Sequence, residues 1–387
     1  MIIELKGVEF NNKGSALMLL ALVTKLREQF PDIEFAISHN DKTPKDMRKQ
    51  IASYRKVTLR KMYIDLNVLT YLLPHWCLRW FKRRGIVFEG HLHAIIDASG
   101  FSYSDQWGPY MSIRHLAGEL SRCHRFNKPY IFMPQAFGPF SQPNCREYLA
   151  STLPLAALIY ARDQQSYQYI QAITSELPQL HLMNDFTNSV AATEYQGLDN
   201  AETKLNACII PNFNMLSSRN HENSWMEQYI PTVLHIINAF HLRGYSTFFL
   251  NHEGASDAAI IDQINAELPT TLPVIAPKTA QEVKNVIAAS QVVFSSRFHG
   301  CISALSSGVP CLGSSWSHKY EALYDDYGIP DLLISPNMTG AELDSAITSA
   351  LAPATLTTIT QQAANQALKT QQMWNEVFAV LSGQLES

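Results

Sequence analysis

The sequence predicts an α/β protein of two doubly wound domains, each with a parallel sheet covered by helices on both faces. Short apolar runs alternate with helical patterns along the chain, which is typical of parallel strands joined by helical crossovers. The length of 387 residues suits two domains of about 150 residues each. A polar, helix-poor stretch at 184–204 separates the two halves. We therefore predict domains at 1–190 and 204–350, followed by a helical tail at 351–387.

The individual elements follow from the period of the apolar residues. In the first half, strands are predicted at 2–8, 33–38, 94–98, 130–133 and 157–161, with helices at 15–29 and 111–125. In the second half, strands are predicted at 205–210, 246–250, 274–275, 292–295 and 310–312, with helices at 228–242, 255–267 and 279–289. Each half thus holds about five strands, enough for one doubly wound domain. The segment 355–381 predicts a long amphipathic helix.

Composition and charge exclude several classes of protein. Hydrophobic residues make up 46% and charged residues 17%, so the chain is not of the disordered type. The net charge of −4 gives no support to nucleic-acid binding. No apolar stretch is long enough to span a membrane, and residues 1–6 indicate a strand, not a signal peptide. Six scattered cysteines without CxxC spacing indicate free thiols, and we expect a cytoplasmic protein.

One segment departs from the average charge. Residues 55–84 contain eight basic side chains against one acid, together with five aromatic residues and a leucine-rich stretch. Basic and aromatic residues beside an apolar stripe suit a membrane interface, which would place the protein peripherally at the inner face of the membrane. The alternative is a helical hairpin whose apolar stripe packs on the first domain.

The most informative segment begins at the predicted strand 291–296. Arg297 and His299 follow it directly, and a short helix from 301 ends at Gly308, which is a typical C-terminal cap. Ligands of open α/β sheets bind beyond the carboxyl ends of the strands, and a helix start there favours anions. If the strand continues to His299, alternation puts Arg297 and His299 on one side.

A second loop repeats this pattern. The strand at 309–312 leads into 313–319, which ends in His318 and Lys319. Two adjacent loops thus present arginine, histidine and lysine, a set suited to a small dianion and to proton transfer near neutral pH. The alternative is that Arg297 pairs with a structural acid and that His299 is a core histidine.

Several motifs resemble those of the polysaccharide pyruvyl transferases. The string SSRFHGCISALSSGVPCLGSSWSHKYEALYDDYG is similar to the C-terminal motif of that family. Asn12-Lys13-Gly14-Ser15 resembles its N-x-G-D turn, although Ser15 replaces the acid, and residues 100–105 resemble its glycine-rich loop with fewer glycines. Residues 135–139, 161–166 and 251–257 match three further blocks, so that the resemblance covers roughly residues 1–330 in order.

This resemblance implies a fold of the GT-B type, in which two Rossmann-like domains face each other across a cleft and a C-terminal helix returns toward the first domain. It also implies transfer of the pyruvyl group of phosphoenolpyruvate to two hydroxyls of a glycan or lipid-linked sugar, forming a cyclic ketal. Phosphoenolpyruvate is then the donor substrate, and no metal or organic cofactor is expected. The first domain would hold the acceptor and the second the donor.

The resemblance also implies roles for single residues. Arg297 is expected to bind the anionic groups of the donor, His299 to act as general acid, and Lys319 with His318 to neutralise the leaving phosphate. Asp105 is either a base for the acceptor hydroxyl or a loop cap. Arg162 either contacts substrate or forms an internal salt bridge with Asp163. The remaining substrate-binding candidates are Asn12, Gly14, His252, Ser295 and the backbone N–H groups of Gly300 and Cys301; a packing role for the Cys301 thiol is the alternative.

Two other functions remain open at this stage. A nucleotide-sugar glycosyltransferase of the same architecture would use the cationic loops for a diphosphate. A non-catalytic family member would serve as a scaffold in a synthesis complex, as the departures at Ser15 and in residues 100–105 allow.

Overall fold

The computed structural model describes residues 1–10, 12–40, 42–105, 109–174, 176–195, 206–217, 224–315 and 319–384. The chain divides into two compact units, unit 1 with Met1–Phe186 and Lys369–Ser387, and unit 2 with Thr187–Leu368. The division after Phe186 lies in the polar stretch 184–204. Residue 204, where the sequence predicts that the second domain begins, lies outside the described residues.

Unit 1 contains a parallel sheet and a small separate hairpin. Its strands are β1 Ile2–Lys6, β2 Glu34–Ser38, β3 Tyr54–Lys56, β4 Arg60–Lys61, β5 Ile64–Asp65, β6 Ile86–Val87, β7 Ala94–Asp97, β8 Tyr130–Gln135, β9 Leu158–Ala161 and β10 Leu180–Leu182. Its helices are α1 Lys13–Gln29, α2 Lys45–Gln50, α3 His75–Lys82, α4 Pro109–Arg125, α5 Pro143–Thr152 and α6 Gln164–Gln171, with 3₁₀ turns at Asn67–Leu72, Glu89–His91 and Leu153–Leu155. A further 3₁₀ turn, Phe186–Ser189, begins at the end of the unit.

The strand order of this sheet is β10-β9-β8-β7-β1-β2-β3-β6. The chain starts at β1, moves outward to β6, returns to β7 beside β1 and then moves outward to β10. The direction of winding therefore reverses between β1 and β7, where Lys6 pairs in register with Asp97. Such a switch point opens a crevice at the carboxyl ends of the two strands.

Unit 2 repeats this architecture with fewer strands. They are β11 Asn206–Ile210, β12 Ser246–Leu250, β13 Val274–Ile275, β14 Val292–Ser295, β15 Cys311–Ser314 and β16 Leu333–Ile334, in the order β13-β12-β11-β14-β15-β16. The helices are α7 Ser224–Leu242, α8 Ala255–Glu267, α9 Ala280–Ala288, α10 Phe298–Ser306, α11 Lys319–Asp326, α12 Gly340–Ala350 and α13 Pro353–Ser382, with 3₁₀ turns at Phe213–Leu216 and Pro330–Leu332. The switch point of this sheet lies between β11 and β14.

The last part of α13 belongs to unit 1, as predicted for the C-terminal helix. Trp374 is fully buried there, and the ring of Phe378 meets the edge of Phe30 with centroids 5.9 Å apart. The hydroxyl of Tyr160, on β9, donates to Glu376 at 2.6 Å. These contacts fix residues 369–382 against the first unit.

The structure corrects two local predictions. Residues 55–84 are not a helical hairpin, because they form the end of β3, the β4–β5 hairpin, a 3₁₀ turn and the short helix α3. The strand that begins at Val292 does not continue to His299, because β14 ends at Ser295 and α10 begins at Phe298. At the other end of α10 the prediction is confirmed: Gly308 has a φ of +75° and, with Val309, closes the helix by the bonds typical of a glycine cap.

Candidate functional site

The candidate site lies at the switch point of unit 2. Asn212 follows β11, Ser296 and Arg297 follow β14, and Ser314 ends β15. Because these neighbouring strands are parallel, their carboxyl ends lie at one edge of the sheet. The candidate residues of the second domain are thus gathered where open α/β sheets bind their ligands.

A buried hydrogen-bond network fixes the backbone just before Arg297. The carbonyl of Ser296 accepts from Asn212 Nδ2 at 2.9 Å and from the Tyr320 hydroxyl at 2.8 Å. The Ser296 hydroxyl is bonded to the Tyr229 hydroxyl at 2.5 Å and to Ser314 Oγ at 2.7 Å. All five side chains are buried, and burial raises the pKa of Tyr229. A fully bonded network of this kind holds the following residues in one orientation.

Arg297 is held by a two-pronged ion pair. Its Nε lies 3.1 Å from Asp257 Oδ2, and its Nη2 lies 2.5 Å from Asp257 Oδ1. Asp257 is fully buried in the first turn of α8 and also accepts from the backbone N–H of Glu253 at 3.0 Å. Arg297 therefore pairs with a structural acid, as the alternative interpretation states. The pair also sets its direction, and Nη1 has no hydrogen-bond partner among the described residues.

The structure brings Arg297, His299 and Lys319 to the start of α10. Arg297 is the N-cap residue, and its side chain forms no hydrogen bond to the first turn. His299 is the second helical residue, with its ring 5.6 Å from that of Phe298. Lys319 Nζ lies 4.9 Å from the centre of the Phe298 ring. His318 lies outside the described residues.

The start of α10 lies close to the sheet because residue 300 is a glycine and packs against Ser295. A Cβ on Gly300 would come within 2.4 Å of Ser295 Oγ and 3.3 Å of Ile210 Cδ1. Ser295 Oγ in turn accepts from the backbone N–H of Arg297 at 3.1 Å. Ser295 is thus part of the support of the helix start, and Gly300 leaves room for it.

Cys301 does not offer its N–H to a ligand. That N–H donates to the carbonyl of Arg297 at 3.0 Å, and the buried thiol donates to the carbonyl of Ser295 at 3.5 Å. The backbone part of the prediction for Cys301 is therefore wrong, because the first helical hydrogen bond uses the same group. The packing alternative describes its side chain.

His252 lies near the same ion pair, in the loop after β12. Its ring is buried, with Nδ1 3.2 Å from Glu253 Oε1. Burial lowers the pKa of His252, so the neutral ring is favoured. The neighbouring Glu253 N–H, bonded to Asp257, connects this loop to Arg297.

The candidate residues of the first domain follow β1 and β7, on either side of the switch point of unit 1. Asn12 caps α1 by accepting from the Ser15 N–H at 2.9 Å, and Gly14 is buried within the helix. Asp105 accepts from the Ser141 N–H at 2.7 Å and donates its own N–H to the Pro139 carbonyl at 3.0 Å. Asp105 thus ties two loops together, while its buried Oδ1 has no hydrogen-bond partner among the described residues.

Arg162 is also part of an internal ion pair. Its Nη1 lies 3.5 Å from Asp185 Oδ2, and both side chains are buried. The neighbouring Asp163 caps α6, accepting from the Ser166 N–H at 2.7 Å. The internal ion pair that was one alternative for Arg162 is thus observed with Asp185, a residue that was not among the candidates.

A buried charge cluster at the switch point of unit 1 was not predicted from the sequence. Lys6 Nζ contacts Glu119 Oε2 at 2.6 Å, the Tyr130 hydroxyl at 2.7 Å and Asp97 Oδ2 at 3.5 Å. Lys56 pairs with Glu4 and lies 3.1 Å from Glu119 Oε1. Glu4 and Lys6 alternate with apolar residues in β1, which puts both on one face of the strand. That alternation is the signal that could have revealed the cluster.

The charge states of this cluster follow from burial and pairing. Burial opposes the charge on Glu119, but Lys6 and Lys56 outweigh it and lower the pKa of that carboxyl. Burial also opposes the charge on Lys56, but Glu4 and Glu119 raise its pKa. For Glu4, burial dominates and raises the pKa. The lysines of the cluster are therefore held in their charged form by their carboxylate partners.

The same part of the chain bears on metal binding and on membrane spans. Within the described ranges, no group of three or more His, Cys, Asp or Glu side chains is arranged to hold a metal ion. His91 and His93 instead bond to backbone groups, with His93 Nδ1 accepting from the Ile2 N–H at 3.0 Å. No described helix combines the length and the apolar character needed to cross a bilayer.

Comparison with known proteins gives one family and a set of similar folds. A family model described as polysaccharide pyruvyl transferase matches residues 12–318. No curated protein sequence matches the chain.

Similar solved structures include the S. aureus MnaA–UDP co-structure, with 11% identity, a TM-score of 0.58 and coverage of 98% of this chain and 96% of that one. A putative UDP-N-acetylglucosamine 2-epimerase from Listeria monocytogenes has 11% identity and a TM-score of 0.57, covering 96% and 94%. Anabaena Alr3699/HepE in complex with UDP-glucose has 12% identity and a TM-score of 0.53, covering 100% and 98%. These are GT-B folds, which confirms the predicted fold class.

Proposed function

The chain belongs to the polysaccharide pyruvyl transferase family, and on this premise we propose that it transfers the pyruvyl group of phosphoenolpyruvate to two hydroxyls of a glycan or lipid-linked sugar in polysaccharide synthesis. In this reaction the methylene carbon of the donor gains a proton, and two C–O bonds form at its C2. The C2–O bond to phosphate breaks. The two hydroxyls lose two protons in all. One equals the proton that the methylene carbon gains, and the other leaves with hydrogen phosphate.

The donor is proposed to bind at the start of α10. Phosphoenolpyruvate carries a carboxylate and a phosphate, and the guanidinium of Arg297 offers a planar edge to either group. Asp257 occupies Nε and Nη2, and Nη1 is proposed to bind the ligand. Lys319, beside Phe298, is proposed to neutralise the phosphate as it leaves. The N–H of Gly300, in the first turn, adds a donor where the helix dipole also favours an anion.

His299 is proposed as the general acid. Protonation of the methylene carbon makes C2 electron-poor, so that a hydroxyl can attack it. A histidine is suited to deliver this proton near neutral pH. His299 follows Arg297 by two residues in the same helix start, which places the acid beside the proposed donor groups. The reaction as written needs a donor substrate and no resident cofactor.

Acceptor binding is proposed for unit 1, at the carboxyl ends of β1 and β7. Asn12 and Gly14 follow the first of these strands, and Asp105 follows the second. The buried Oδ1 of Asp105 is the group that we propose to take the proton of the attacking hydroxyl. Because Asp105 also anchors the neighbouring loop, its replacement tests folding and catalysis together.

The observation that carries the proposal is the convergence of Arg297, His299 and Lys319 on one helix start, of which Arg297 and His299 lie within the matched family segment. The test is to incubate the protein with phosphoenolpyruvate and a panel of glycosides with free hydroxyl pairs. We expect release of inorganic phosphate and a product that carries a pyruvyl ketal, identified by mass spectrometry and NMR. Calorimetry with phosphoenolpyruvate alone should show binding that Arg297→Gln weakens.

The same calorimetry separates the competing functions. The structural neighbours include complexes with UDP and UDP-glucose, so UDP and UDP-sugars form the comparison panel. Tight binding of a UDP-sugar without binding of phosphoenolpyruvate would favour a glycosyltransferase. Binding of neither class by the folded protein would favour the scaffold hypothesis.

A further inference from the structure

One segment of unit 1 holds more than half of the exposed large hydrophobic side chains among the described residues. Nine of the sixteen exposed large hydrophobic side chains among the described residues lie between Leu59 and Trp80. Leu72 is 73% exposed, and both Trp76 and Met62 are 67% exposed. Single exposed apolar residues are normal on a protein surface, but a cluster within one segment indicates an interaction site. We call residues 59–84 the apolar-basic surface.

This surface is held rigidly by its other side. The ring of Tyr71 stacks on Phe126 with centroids 3.8 Å apart, and Phe81 meets the edge of the buried Phe88 at 4.9 Å. The Tyr71 hydroxyl also donates to the buried Glu89 at 3.0 Å. The inward-facing residues thus anchor the segment, and no residue of α3 is fully buried. The packing alternative for the apolar stripe is therefore wrong for Leu72, Trp76 and Trp80.

The apolar residues form two projections. One is the β4–β5 hairpin, whose tip carries the exposed Met62, Tyr63 and Ile64. The other runs from the 3₁₀ turn into α3, where Leu72, Trp76 and Trp80 follow each other at four-residue spacing. Residues four apart on a helix lie on the same side, so Trp76 and Trp80 project together. Tryptophan and tyrosine are the residues that favour the boundary between lipid and water.

The charge on the same surface is positive. Exposed cations are provided by Lys61, Arg79, Arg83 and Arg84. The only acid between residues 59 and 84 is Asp65, which is paired with Arg122 at 3.1 Å. Two other basic residues of the segment 55–84 already have acidic partners. Lys56 is buried with Glu4, and Lys82 pairs with Glu34 at 2.6 Å. The outward cations are thus not neutralised within their own segment.

Charge complementarity favours an anionic lipid surface over a second copy of this chain as the partner of this surface. In a symmetric dimer of this chain, the surface would face itself and bring like charges together, which is unfavourable. An anionic lipid surface would instead satisfy the cations and take up the apolar side chains. No described helix spans a bilayer, so a contact through this surface would lie at the membrane interface.

We propose that the apolar-basic surface docks unit 1 on a bilayer that contains anionic lipid, with Leu72, Trp76 and the hairpin tip inserted and Arg79, Arg83 and Arg84 among the headgroups. This inference does not depend on the proposed reaction. It rests on exposure, rigid anchoring and charge alone. Its biological use would be to bring the protein to molecules that are held in the membrane.

Vesicle flotation of the full chain tests the proposal. Vesicles of phosphatidylcholine with phosphatidylglycerol should carry the protein upward, and vesicles of phosphatidylcholine alone should carry little. At 1 M salt, where the screening length falls to about 3 Å, binding to the anionic vesicles should drop. Arg79→Glu with Arg83→Glu should lower the partition coefficient by at least about fivefold for each arginine.

A second variant tests insertion. Leu72→Ser with Trp76→Ser should also reduce flotation, and quenching of tryptophan fluorescence by lipids brominated in the acyl chain should fall with it. Both positions are exposed, so folding should be kept. The matched control is Leu242→Ser in unit 2, which is 79% exposed and should float like the unchanged protein. Lack of flotation on anionic vesicles, or self-association through Trp76 without flotation, would overturn the proposal.

Discussion

The two switch points of this molecule carry charged clusters that differ in how their charges are balanced. In unit 1, Lys6 and Lys56 share the buried carboxylates of Glu4, Asp97 and Glu119. In unit 2, Nε and Nη2 of Arg297 bond to the two oxygens of Asp257, and Lys319 Nζ lies 4.9 Å and 5.7 Å from the ring centres of Phe298 and Tyr320. Both clusters occupy the same position in their sheets.

This difference indicates that the cluster of unit 1 is structural and that the cluster of unit 2 is suited to binding a ligand. Lys6 and Lys56 of the unit 1 cluster are each bonded to oxygen atoms of their own chain, so their charges serve to hold β1, β3, β7 and α4 together. In unit 2 the ion pair directs an arginine toward a helix start, which is itself favourable to anions. A charged cluster at a ligand-binding edge is thus not enough to identify a site; the partners of its charges must be known.

Replacing His299 should have the largest effect and is the strongest test of a functional role for the unit 2 cluster. If it delivers the proton to the donor, His299→Ala should lower kcat by about 10²–10⁴-fold. The melting temperature should change little, because the ring is only half-buried at the helix start. Steady-state kinetics with phosphoenolpyruvate and circular dichroism measure the two effects.

The matched control for this variant is His235→Ala. His235 is another half-buried histidine of unit 2, 3.4 Å from Asp344, and no role in the reaction is proposed for it. Its replacement should leave kcat unchanged. Full turnover in His299→Ala would remove the proton donor from the proposal and leave only an anion-binding role for this cluster.

The next prediction concerns the stability of unit 1. Lys56→Met removes a buried cation and leaves Glu4 and Glu119 beside an apolar group, which should cost about 3–5 kcal/mol of the free energy of unfolding. Adding Glu4→Gln should recover part of the loss, since it removes a buried negative charge. Hydrogen exchange measured by mass spectrometry should show faster opening in β1, β3 and α4, and no change in unit 2.

A surface pair gives the control for Lys56. Lys25 and Glu28 lie 2.9 Å apart on α1, and Glu28 is largely exposed. Lys25→Met should change the free energy of unfolding by less than about 1 kcal/mol, because exposed ion pairs contribute little. Equal exchange rates in Lys56→Met and in the unchanged protein would mean that the unit 1 cluster is not a structural element.

Four elements of unit 2 were predicted at their observed bounds, including the edge strand β13, which is not buried. The strands Ser246–Leu250, Val274–Ile275 and Val292–Ser295 and the helix Ala255–Glu267 coincide with their predicted ranges. The strands Tyr54–Lys56, Ile86–Val87, Leu180–Leu182 and Leu333–Ile334 were not predicted. They have two or three residues each and lie at or near the edges of their sheets, so neighbouring strands define them more than their own pattern does.

The candidate site shows the same limit. Arg297, His299 and Lys319 were predicted from two adjacent loops, and the structure places them around one helix start. The partner of Arg297 was not predicted, because Asp257 is 40 residues away and is selected only when β12 and β14 lie on either side of β11. Period alone also left open whether β14 continues to His299, since a polar strand end and a helix start look alike over four residues.

A smaller effect should test how α10 is positioned in unit 2. Gly300→Ala brings a methyl group within 2.4 Å of Ser295 Oγ, so the helix start must shift. We expect a loss of about 1–3 kcal/mol in the free energy of unfolding, as for other overpacked sites, together with a lower kcat. Ser295→Ala in the same chain should restore part of both values, because the serine Cβ is 3.4 Å away. Ser295→Ala alone is the control. An unchanged kcat in Gly300→Ala would show that the reaction tolerates movement of this helix.

The smallest expected effect is a pH dependence that the two units share. Burial lowers the pKa of His252 in unit 2 and of His93 in unit 1, so the unfolded chain binds protons more readily than the folded one as the pH falls. Their contribution to stability is present above the unfolded pKa of about 6.5 and is lost as the pH decreases below it. His252→Asn should therefore flatten the acid dependence of hydrogen exchange in unit 2 and leave that of unit 1 unchanged, and His93→Gln should do the reverse. If both variants changed both units equally, the stabilities of the two units would be coupled, and the two switch points could not be compared as independent sites.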